Sequence, residues 1–506
     1  MPVTTFAFLL FVSLTLLVYF IVPQKYQWVV LLFASYFYYA SAGGKLVVFL
    51  IFTTIITYLA GLFLAAARDR KKRKLILAAA LFFVFGLLAF LKYYNFVARG
   101  LNILLAKLAV FSLPQFKILL PLGISFYIFQ AAGYVIDIYR GKYPPERNPA
   151  KFALFVSFFP QVIQGPISRY DQLAPQLYGG HGLDYDRLKY GIQLLLWGYC
   201  KKIIIADRAA VLVNTVFDNY RQYPGSIVAV AVCFYCLQIY CDFSGGIDIV
   251  RGIAQAMGID LVQNFRRPYF AASLADFWRR WHISLGEWMR EYLFYPLSLS
   301  KPFFRLGKKT RGLIKGKAGK IIPTSLASFI VFFTIGIWHG ANLKYIAFGL
   351  YNGLIISASI IITPYFTRLL EKVRIDPHVR LWIVVRIVGT NLLVFLGRYF
   401  TRGASLKAAL AMLRQTVFAF HARALTGGTL WTLGLSRLDF CLVVVGGMVI
   451  LILGYLQEKG MAIRKTLEQK HWLLQWLVLM VVLVALVWLG VYREGYIASE
   501  FIYQQY

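Results

Sequence analysis

Residues 321–342 read IIPTSLASFIVFFTIGIWHGAN, an apolar run that contains no Asp, Glu, Lys or Arg. A helix of about 20 such residues is long enough to cross about 30 Å of hydrocarbon. His339 stands near the end of the run, and a titratable side chain at membrane depth costs free energy, so such residues generally line a cavity and serve a function. The run therefore predicts a membrane helix with a candidate general base. The alternative is a histidine that only hydrogen-bonds a neighbouring helix.

The rest of the chain has the composition of a membrane protein, because 59% of its 506 residues are hydrophobic. Apolar runs of sufficient length predict an all-α polytopic membrane protein with about 11–13 transmembrane helices. The first run is expected to be a retained helix, since it lacks a basic segment before it and a small-residue cleavage site. The predicted spans are 6–22, 27–41, 46–66, 75–91, 116–132, 151–166, 190–206, 226–241, 325–342, 345–363, 380–397, 439–456 and 472–491.

The formal net charge of +33 arises from basic residues placed between the apolar runs, at 68–74, 201–202 and 301–320. This pattern is typical of loops that are held on the cytoplasmic side and attracted to anionic lipid. Nucleic-acid binding would need a folded basic domain, and none is predicted. No metal site is predicted either, because Cys233-x-x-Cys236 lacks the second pair of ligands that zinc needs.

The longest polar interval, 266–320, carries a second histidine, His282. Its aromatic residues recur at spacings of three and four, which predicts one helix with an apolar stripe. Arg279, His282 and Gly286 would lie on an adjacent face of this helix. The stripe consists of Trp278, Trp281, Leu285, Trp288 and Tyr292.

Residues 240–248 read YCDFSGGID and follow an apolar run directly. Two carboxylates and two glycines at this place are expected to break or cap a membrane helix. Asp242 and Asp248 suggest metal or acid–base chemistry, but structural pairing with Arg266, Arg267 or loop backbone is the favoured interpretation. The chain has no Gly-x-Ser-x-Gly elbow and no Gly-rich phosphate loop, so it offers no serine nucleophile of its own.

An ordered set of short strings resembles the membrane-bound O-acyltransferase family, in its bacterial branch for alginate O-acetylation and D-alanylation. The set covers about residues 90–355, and the match weakens after residue 360. The strings are KYYNF at 92–96, LPLGISFY at 120–127, FFPQ at 158–161 with Gly165-Pro166, YCDFSGGID at 240–248, Asn264-Phe265 with Pro268-Tyr269, FWRRWHIS at 277–284, and GIWHG at 336–340.

The resemblance implies that His339 is the catalytic residue and that His282 is the second polar position of the active site. It also implies one integral-membrane domain over 1–500, in which a ring of helices surrounds a central funnel. The candidate substrate-binding residues are Trp338, Trp281, Arg279, Asn342 and Asp242.

The segment 501–506, FIYQQY, resembles the aromatic tail of alginate-type members. In those systems the tail tyrosine is proposed to carry the acyl group, and by position this residue is Tyr503. The alternative is an aromatic anchor belt at the membrane surface.

The function that the resemblance implies is transfer of an acetyl group from a cytoplasmic thioester to a cell-surface polysaccharide. Acetyl-CoA is the expected donor substrate, and no bound cofactor is expected. The expected partner is an extracytoplasmic SGNH-hydrolase-like transferase, and the expected location is the bacterial cytoplasmic membrane. The alternatives are D-alanyl transfer from a carrier-protein thioester to teichoic acid, and a transporter that uses both histidines as a proton relay. Internal repeats typical of transporters are not found.

Overall fold

A computed structural model describes residues 1–108, 111–314, 317–374, 376–377 and 379–491, which are predominantly helical. Short 3-10 and π-helical turns join several of the α-helices. The first ten α-helices are α1 Phe6–Ile21, α2 Gln27–Gly43, α3 Val47–Ala66, α4 Arg70–Lys107, α5 Ile124–Arg140, α6 Pro149–Ser157, α7 Phe159–Val162, α8 Tyr170–Tyr178, α9 Tyr185–Tyr199 and α10 Asp207–Asp218.

The second half of the chain continues in the same manner. Its α-helices are α11 Gly225–Ala256, α12 Leu274–Arg280, α13 Ile283–Met289, α14 Tyr295–Ser298, α15 Lys301–Leu313, α16 Lys317–His339, α17 Leu343–Lys372, α18 Arg380–Arg402, α19 Leu406–Phe418, α20 Arg423–Thr426, α21 Arg437–Glu458, α22 Ile463–Glu468 and α23 Trp472–Leu489.

Eight helical segments among the described residues are long and apolar enough to cross a membrane. One of them, Gln24–Ala66, includes both α2 and α3, and the apolar helix α1 is shorter than the eight. The chain is therefore an all-α, multi-pass membrane protein, as its apolar runs predict. The central funnel implied by the resemblance stays a prediction.

Two predicted spans are built from shorter pieces. The span 151–166 is divided into α6 and α7, and the span 190–206 continues from α9 into a π-helix over Cys200–Ala206. Pro160 explains the first division, since a proline is favoured in the first turn of a helix and disfavoured in its interior. The sequence pattern shows the apolar residues but not these interruptions.

The chain forms two compact units. The first consists of 1–203, 242–263 and the chain from Leu473, and the second of 204–241 and 264–472. Helix α11 contributes to both units, and it runs without a break through residues 240–248. The expectation that this stretch breaks or caps the helix is therefore wrong. Its carboxylates and glycines are accommodated by α9 and the π-helix that follows it.

Glycines bring α9 against the C-terminal half of α11 in the first unit. A Cβ on Gly198 would lie 2.6 Å from the Gly245 carbonyl oxygen, and one on Gly252 would lie 2.5 Å from the Gly191 carbonyl oxygen. The two contacts are seven residues apart on both helices, so two turns of each helix approach backbone to backbone. Small residues are the usual means of such close packing between membrane helices.

Replacing Gly198 by alanine is expected to destabilise the protein by about 1–3 kcal/mol, because the added methyl group overlaps backbone atoms that cannot move aside. Thermal unfolding of the purified protein in detergent measures the effect. Gly86→Ala is the matched control, since a Cβ at that position of α4 meets nothing within 4 Å. Equal unfolding temperatures for the two variants would show that the backbone contact does not limit stability.

In the second unit, α16 and α17 form a tight hairpin. A Cβ on Gly336 would lie 2.7 Å from the Gly349 Cα, so the two helices touch one turn before α16 ends at His339. The Asn342 side chain then accepts a hydrogen bond from the Lys344 amide at 3.1 Å and caps α17. The hairpin thus fixes the position of the histidine within the unit.

Candidate active site

His339 is the last residue of α16, and its side chain is buried. Three aromatic rings surround the imidazole, those of Trp338, Tyr345 and Phe348, with ring centroids 5.0, 6.2 and 5.6 Å away. The carbonyl groups at the end of a helix favour positive charge by about 0.3–1 kcal/mol. They would therefore stabilise the imidazolium that forms when His339 accepts a proton.

The Trp338 indole connects the two histidines. Its ring centroid lies 6.1 Å from that of His282, in an edge-to-face arrangement. Because His339 touches the same indole, the structure brings together both candidate catalytic histidines and one of the candidate substrate-binding residues. All three side chains are buried, with His282 only 2% exposed.

His282 lies at an interruption between two short helices. Helix α12 ends at Arg280, and α13 begins at Ile283. His282 itself has a left-handed backbone, with φ 49° and ψ 55°. The prediction of one continuous helix through this region is therefore wrong. A non-glycine residue in this conformation is strained and is held by its surroundings, which is common at functional sites.

Asn264 supplies the hydrogen bonds that hold this conformation. Its backbone carbonyl accepts from the Ile283 amide at 3.0 Å, and its side-chain Oδ1 accepts from the Ser284 amide at 2.9 Å. An antiparallel bridge between Phe265 and Trp281 lies next to these bonds. The amide groups that a continuous helix would use are thereby bound to a residue almost twenty positions earlier in the chain.

Burial lowers the pKa of His282 from its usual value to about 3. The cause is loss of solvation, which penalises the charged form of the ring. His282 is therefore a neutral imidazole at physiological pH. A neutral ring can orient a ligand or donate one hydrogen bond, but it does not supply a proton as an acid near pH 7.

Trp278 and Asn352 support Phe348, one of the three aromatic residues that pack around His339. The Trp278 indole donates to Asn352 Oδ1 at 3.0 Å, and its ring packs against that of Phe348 with centroids 6.0 Å apart. Phe348 in turn contacts His339. Asn352 is held in place because its own amide donates to the Phe348 carbonyl at 2.9 Å.

Trp281 is 1% exposed and packs inside an aromatic cluster, with its ring stacked on Phe277 at a centroid distance of 5.5 Å. The guanidinium carbon of Arg398 lies 4.7 Å from the centre of the same indole. A buried cation over an indole is a favourable contact worth about 2 kcal/mol or more when desolvated. In this structure Trp281 therefore anchors the backbone beside His282.

The other candidate substrate-binding residues are more dispersed. The Arg279 side chain is 69% exposed and lies 3.5 Å from Asp276, so it points away from the buried histidines. Asn342 caps α17, as described above. Asp242 belongs to the first unit, where the Lys202 ammonium lies 2.6 Å from its carboxylate. Tyr503 lies outside the described residues.

The expected structural pairing of Asp242 and Asp248 is confirmed, but their partners are not the arginines that were expected. Asp242 pairs with Lys202, and Asp248 pairs with Lys201 at 2.6 Å, rather than with Arg266 or Arg267. Arg267 instead binds Glu458 at the end of α21, and Arg280 binds the same carboxylate at 2.7 Å. The sequence signal for the lysine–aspartate pairs is the adjacent Lys201 and Lys202 within an apolar segment, since buried cations need an opposite charge.

Sequence reasoning did not assign a site role to four residues that contact His339, Trp281 or the backbone after His282. They are Tyr345, Phe348, Arg398 and Asn264. Tyr345 and Phe348 follow His339 by six and nine residues, which is the separation expected for the facing side of a tight helical hairpin. Asn264 stands in one of the strings that carry the family resemblance, but the string gives it no role, and no local pattern indicates the position of Arg398. Their contacts depend on the course of the chain between distant segments.

Comparison with known proteins gives a family match. The profile described as "MBOAT, membrane-bound O-acyltransferase family" matches residues 146–396, which contain both histidines. The chain is 31% identical over 377 residues to a probable alginate O-acetylase from Azotobacter vinelandii, covering 73% of this chain and 68% of the relative.

Two further relatives align over shorter shares of their length. A probable alginate O-acetylase from Pseudomonas syringae pv. tomato is 32% identical over 323 residues, covering 64% of this chain and 57% of the relative. A peptidoglycan O-acetyltransferase from Helicobacter pylori is 30% identical over 358 residues, covering 65% and 62%. The chain thus spans somewhat less than two thirds of the length of these two relatives.

Proposed function

Because this chain belongs to the membrane-bound O-acyltransferase family, we propose that it transfers an acetyl group from acetyl-CoA to a hydroxyl group, for O-acetylation of a cell-surface polysaccharide. The relatives named above are alginate and peptidoglycan O-acetylating proteins, which supports this class of substrate. The proposed location is the bacterial cytoplasmic membrane, and the proposed partner is an extracytoplasmic SGNH-hydrolase-like transferase.

The observation that carries the proposal is the buried imidazole of His339 at the end of α16, joined to the neutral His282 through the Trp338 indole. A buried imidazole packed against aromatic rings suits the removal of a proton from a hydroxyl. The aromatic walls exclude water, which would otherwise hydrolyse the activated acyl group.

The reaction proceeds by attack of the hydroxyl on the thioester carbonyl. His339 takes the hydroxyl proton as the new C–O bond forms and negative charge develops on the carbonyl oxygen. The C–S bond then breaks, and the leaving thiolate receives the proton from the imidazolium. His282 orients the donor or stabilises the oxyanion as a neutral hydrogen-bond donor.

The Tyr503 phenol is the proposed first acceptor of the acetyl group. An unperturbed phenol ionises at about pH 10, so it needs a base to attack at neutral pH. The acetyl-tyrosine would then be presented to the partner for transfer to the polymer. This relay would explain why the chain offers no serine nucleophile of its own.

Incubation with labelled acetyl-CoA, followed by intact-mass and peptide analysis, tests this step. We expect one acetyl adduct on the 495–506 peptide, and we expect Tyr503→Phe to lose it because the phenol oxygen is absent. Tyr506→Phe is the matched control and should keep the adduct. An adduct that persists in Tyr503→Phe, or that maps to another residue, would exclude Tyr503 as the carrier and leave the enzyme class intact.

Two alternatives use the same site. D-alanyl transfer would require a carrier-protein thioester and would leave acetyl-CoA unused in this assay. A proton-coupled transporter would need His282 to gain and lose a proton. Its pKa of about 3 disfavours that role near neutral pH, and liposomes would show movement of an unmodified solute instead of thioester consumption.

A further inference from the structure

In the side-chain amide of Asn264, the oxygen Oδ1 is hydrogen-bonded and the nitrogen Nδ2 is not. The side chain is fully buried, with 0% exposure. Oδ1 accepts the Ser284 amide hydrogen at 2.9 Å, and only an oxygen can accept there, so the orientation of the amide is determined. The Nδ2 group is then directed away from Ser284 with two N–H donors.

Nδ2 has no hydrogen-bond acceptor among the residues that the structure describes. Leaving a buried donor unsatisfied costs free energy, because the group loses its hydrogen bonds to water without replacement. In a protein this cost is usually removed by an ordered water or a ligand, or it is retained for a functional reason. Asn264 binds the two backbone amides that immediately follow His282. An acceptor bound to Asn264 Nδ2 would therefore lie in the same part of the second unit as His282.

We propose that Asn264 Nδ2 donates a hydrogen bond to the carbonyl oxygen of the acyl group during transfer. The inference rests on the proposed function, because it assigns a further donor to that same site. The acyl carbonyl oxygen is a pure acceptor, and its negative charge develops only as the hydroxyl attacks. A neutral, buried and prearranged amide is well suited to such an oxygen, since it needs no reorganisation when the charge appears.

The balance of the step is simple. The hydroxyl oxygen forms a bond to the carbonyl carbon, its proton passes to His339, and the carbonyl oxygen becomes the oxyanion. Asn264 keeps its hydrogens throughout and strengthens one hydrogen bond. When the carbonyl reforms, the C–S bond breaks and the thiolate takes the proton from His339.

The substitution Asn264→Asp separates this role from a purely structural one. Aspartate keeps an oxygen for the Ser284 amide and nearly the same shape, but its ionised form has no donor. We expect kcat for acetyl transfer from acetyl-CoA to fall by about 10²–10³-fold at pH 7.5, the usual effect of removing one oxyanion donor. KM should change little, because the interaction strengthens only in the transition state.

The pH profile provides the decisive measurement. A protonated carboxyl group can donate, and burial raises the pKa of an aspartate above its usual value of about 4. The ratio of variant to wild-type kcat should therefore rise as the pH is lowered from 7.5 to 5.5. Asn264→Ala offers no donor at any pH, and its ratio should stay flat.

A measurement of ligand binding tests the inference even if the Asn264→Asp variant fails to fold. If Asn264→Asp is not monodisperse, we compare the binding of two analogues instead. One is a ketone analogue of acetyl-CoA, and the other is S-ethyl-CoA, which lacks the carbonyl. Wild type should bind the ketone more tightly, and Asn264→Ala should lose that preference. Wild-type kcat in Asn264→Asp at pH 7.5, or an unchanged preference in Asn264→Ala, would overturn the inference. Absence of transfer by the wild type would instead refute the proposed function.

Discussion

Replacing His339 by alanine should lower acetyl transfer from acetyl-CoA by about 10²–10⁴-fold, the usual contribution of a positioned general base. The ring is buried at the end of α16 and packs against three aromatic side chains. Its removal leaves the attacking hydroxyl without a base, because the nearby His282 is held neutral by burial with a pKa of about 3 and is a very weak base. Labelled product formed per unit time measures the loss.

The control for this experiment is His421→Ala. That histidine is exposed, and its imidazole is hydrogen-bonded within its own loop, to the Ala419 carbonyl at 2.9 Å. Its backbone carbonyl accepts from the Ser226 hydroxyl, and alanine keeps that bond, so acetyl transfer should be unchanged. Both variants should elute as a single species from size-exclusion chromatography. Full acetyl transfer by His339→Ala would show that another group removes the proton, and the general-base role would have to be withdrawn.

Breaking the Lys202–Asp242 pair should destabilise the protein by about 3–5 kcal/mol. The two side chains are 0% and 3% exposed, and their charged atoms lie 2.6 Å apart. Lys202→Ala removes the ammonium group that lies 2.6 Å from the buried carboxylate, and Asp242→Ala removes the carboxylate from beside the buried ammonium. Each uncompensated charge is costly in the interior, where water cannot solvate it. Thermal unfolding in detergent measures the change.

The double variant Lys202→Met with Asp242→Leu should recover most of this loss, since a buried ion pair can be replaced by apolar side chains of similar size. The matched surface pair is Lys189–Asp186, at 3.0 Å, in which the aspartate side chain is 67% exposed. Lys189→Ala should change stability by less than about 1 kcal/mol. Equal effects from Lys202→Ala and Lys189→Ala would mean that the buried pair carries no special cost.

The sequence predicts the membrane helices well because their signal is local. An apolar run of sufficient length has few alternatives to a helix that crosses the bilayer. The sequence also identifies His339 as a candidate site residue, since a titratable side chain is unusual within such an apolar run. The glycines of 336–340 and the residues that follow also agree with the observed hairpin.

Local patterns fail where a distant residue decides the backbone. The spacing of aromatic residues in 278–292 fits a helix, but Asn264 binds the amides after His282 and divides it. The carboxylates at 242 and 248 suggest a helix end, but lysines 40 and 47 residues earlier neutralise them inside a continuous helix. These contacts require knowledge of which segments lie together, which a single sequence does not provide.

The shared carboxylate of Glu458 has a consequence for how the protein can be recombined with its relatives. Arg267 and Arg280 lie near the two ends of the segment 264–282, which leads to His282. Both guanidinium groups bind the Glu458 carboxylate at the end of α21. Glu458 falls beyond the segment matched by the family profile. A chimaera that exchanges residues 264–342 alone would separate the arginines from their native acceptor. The module that can be transplanted therefore includes α21, and residues 264–342 by themselves are not interchangeable.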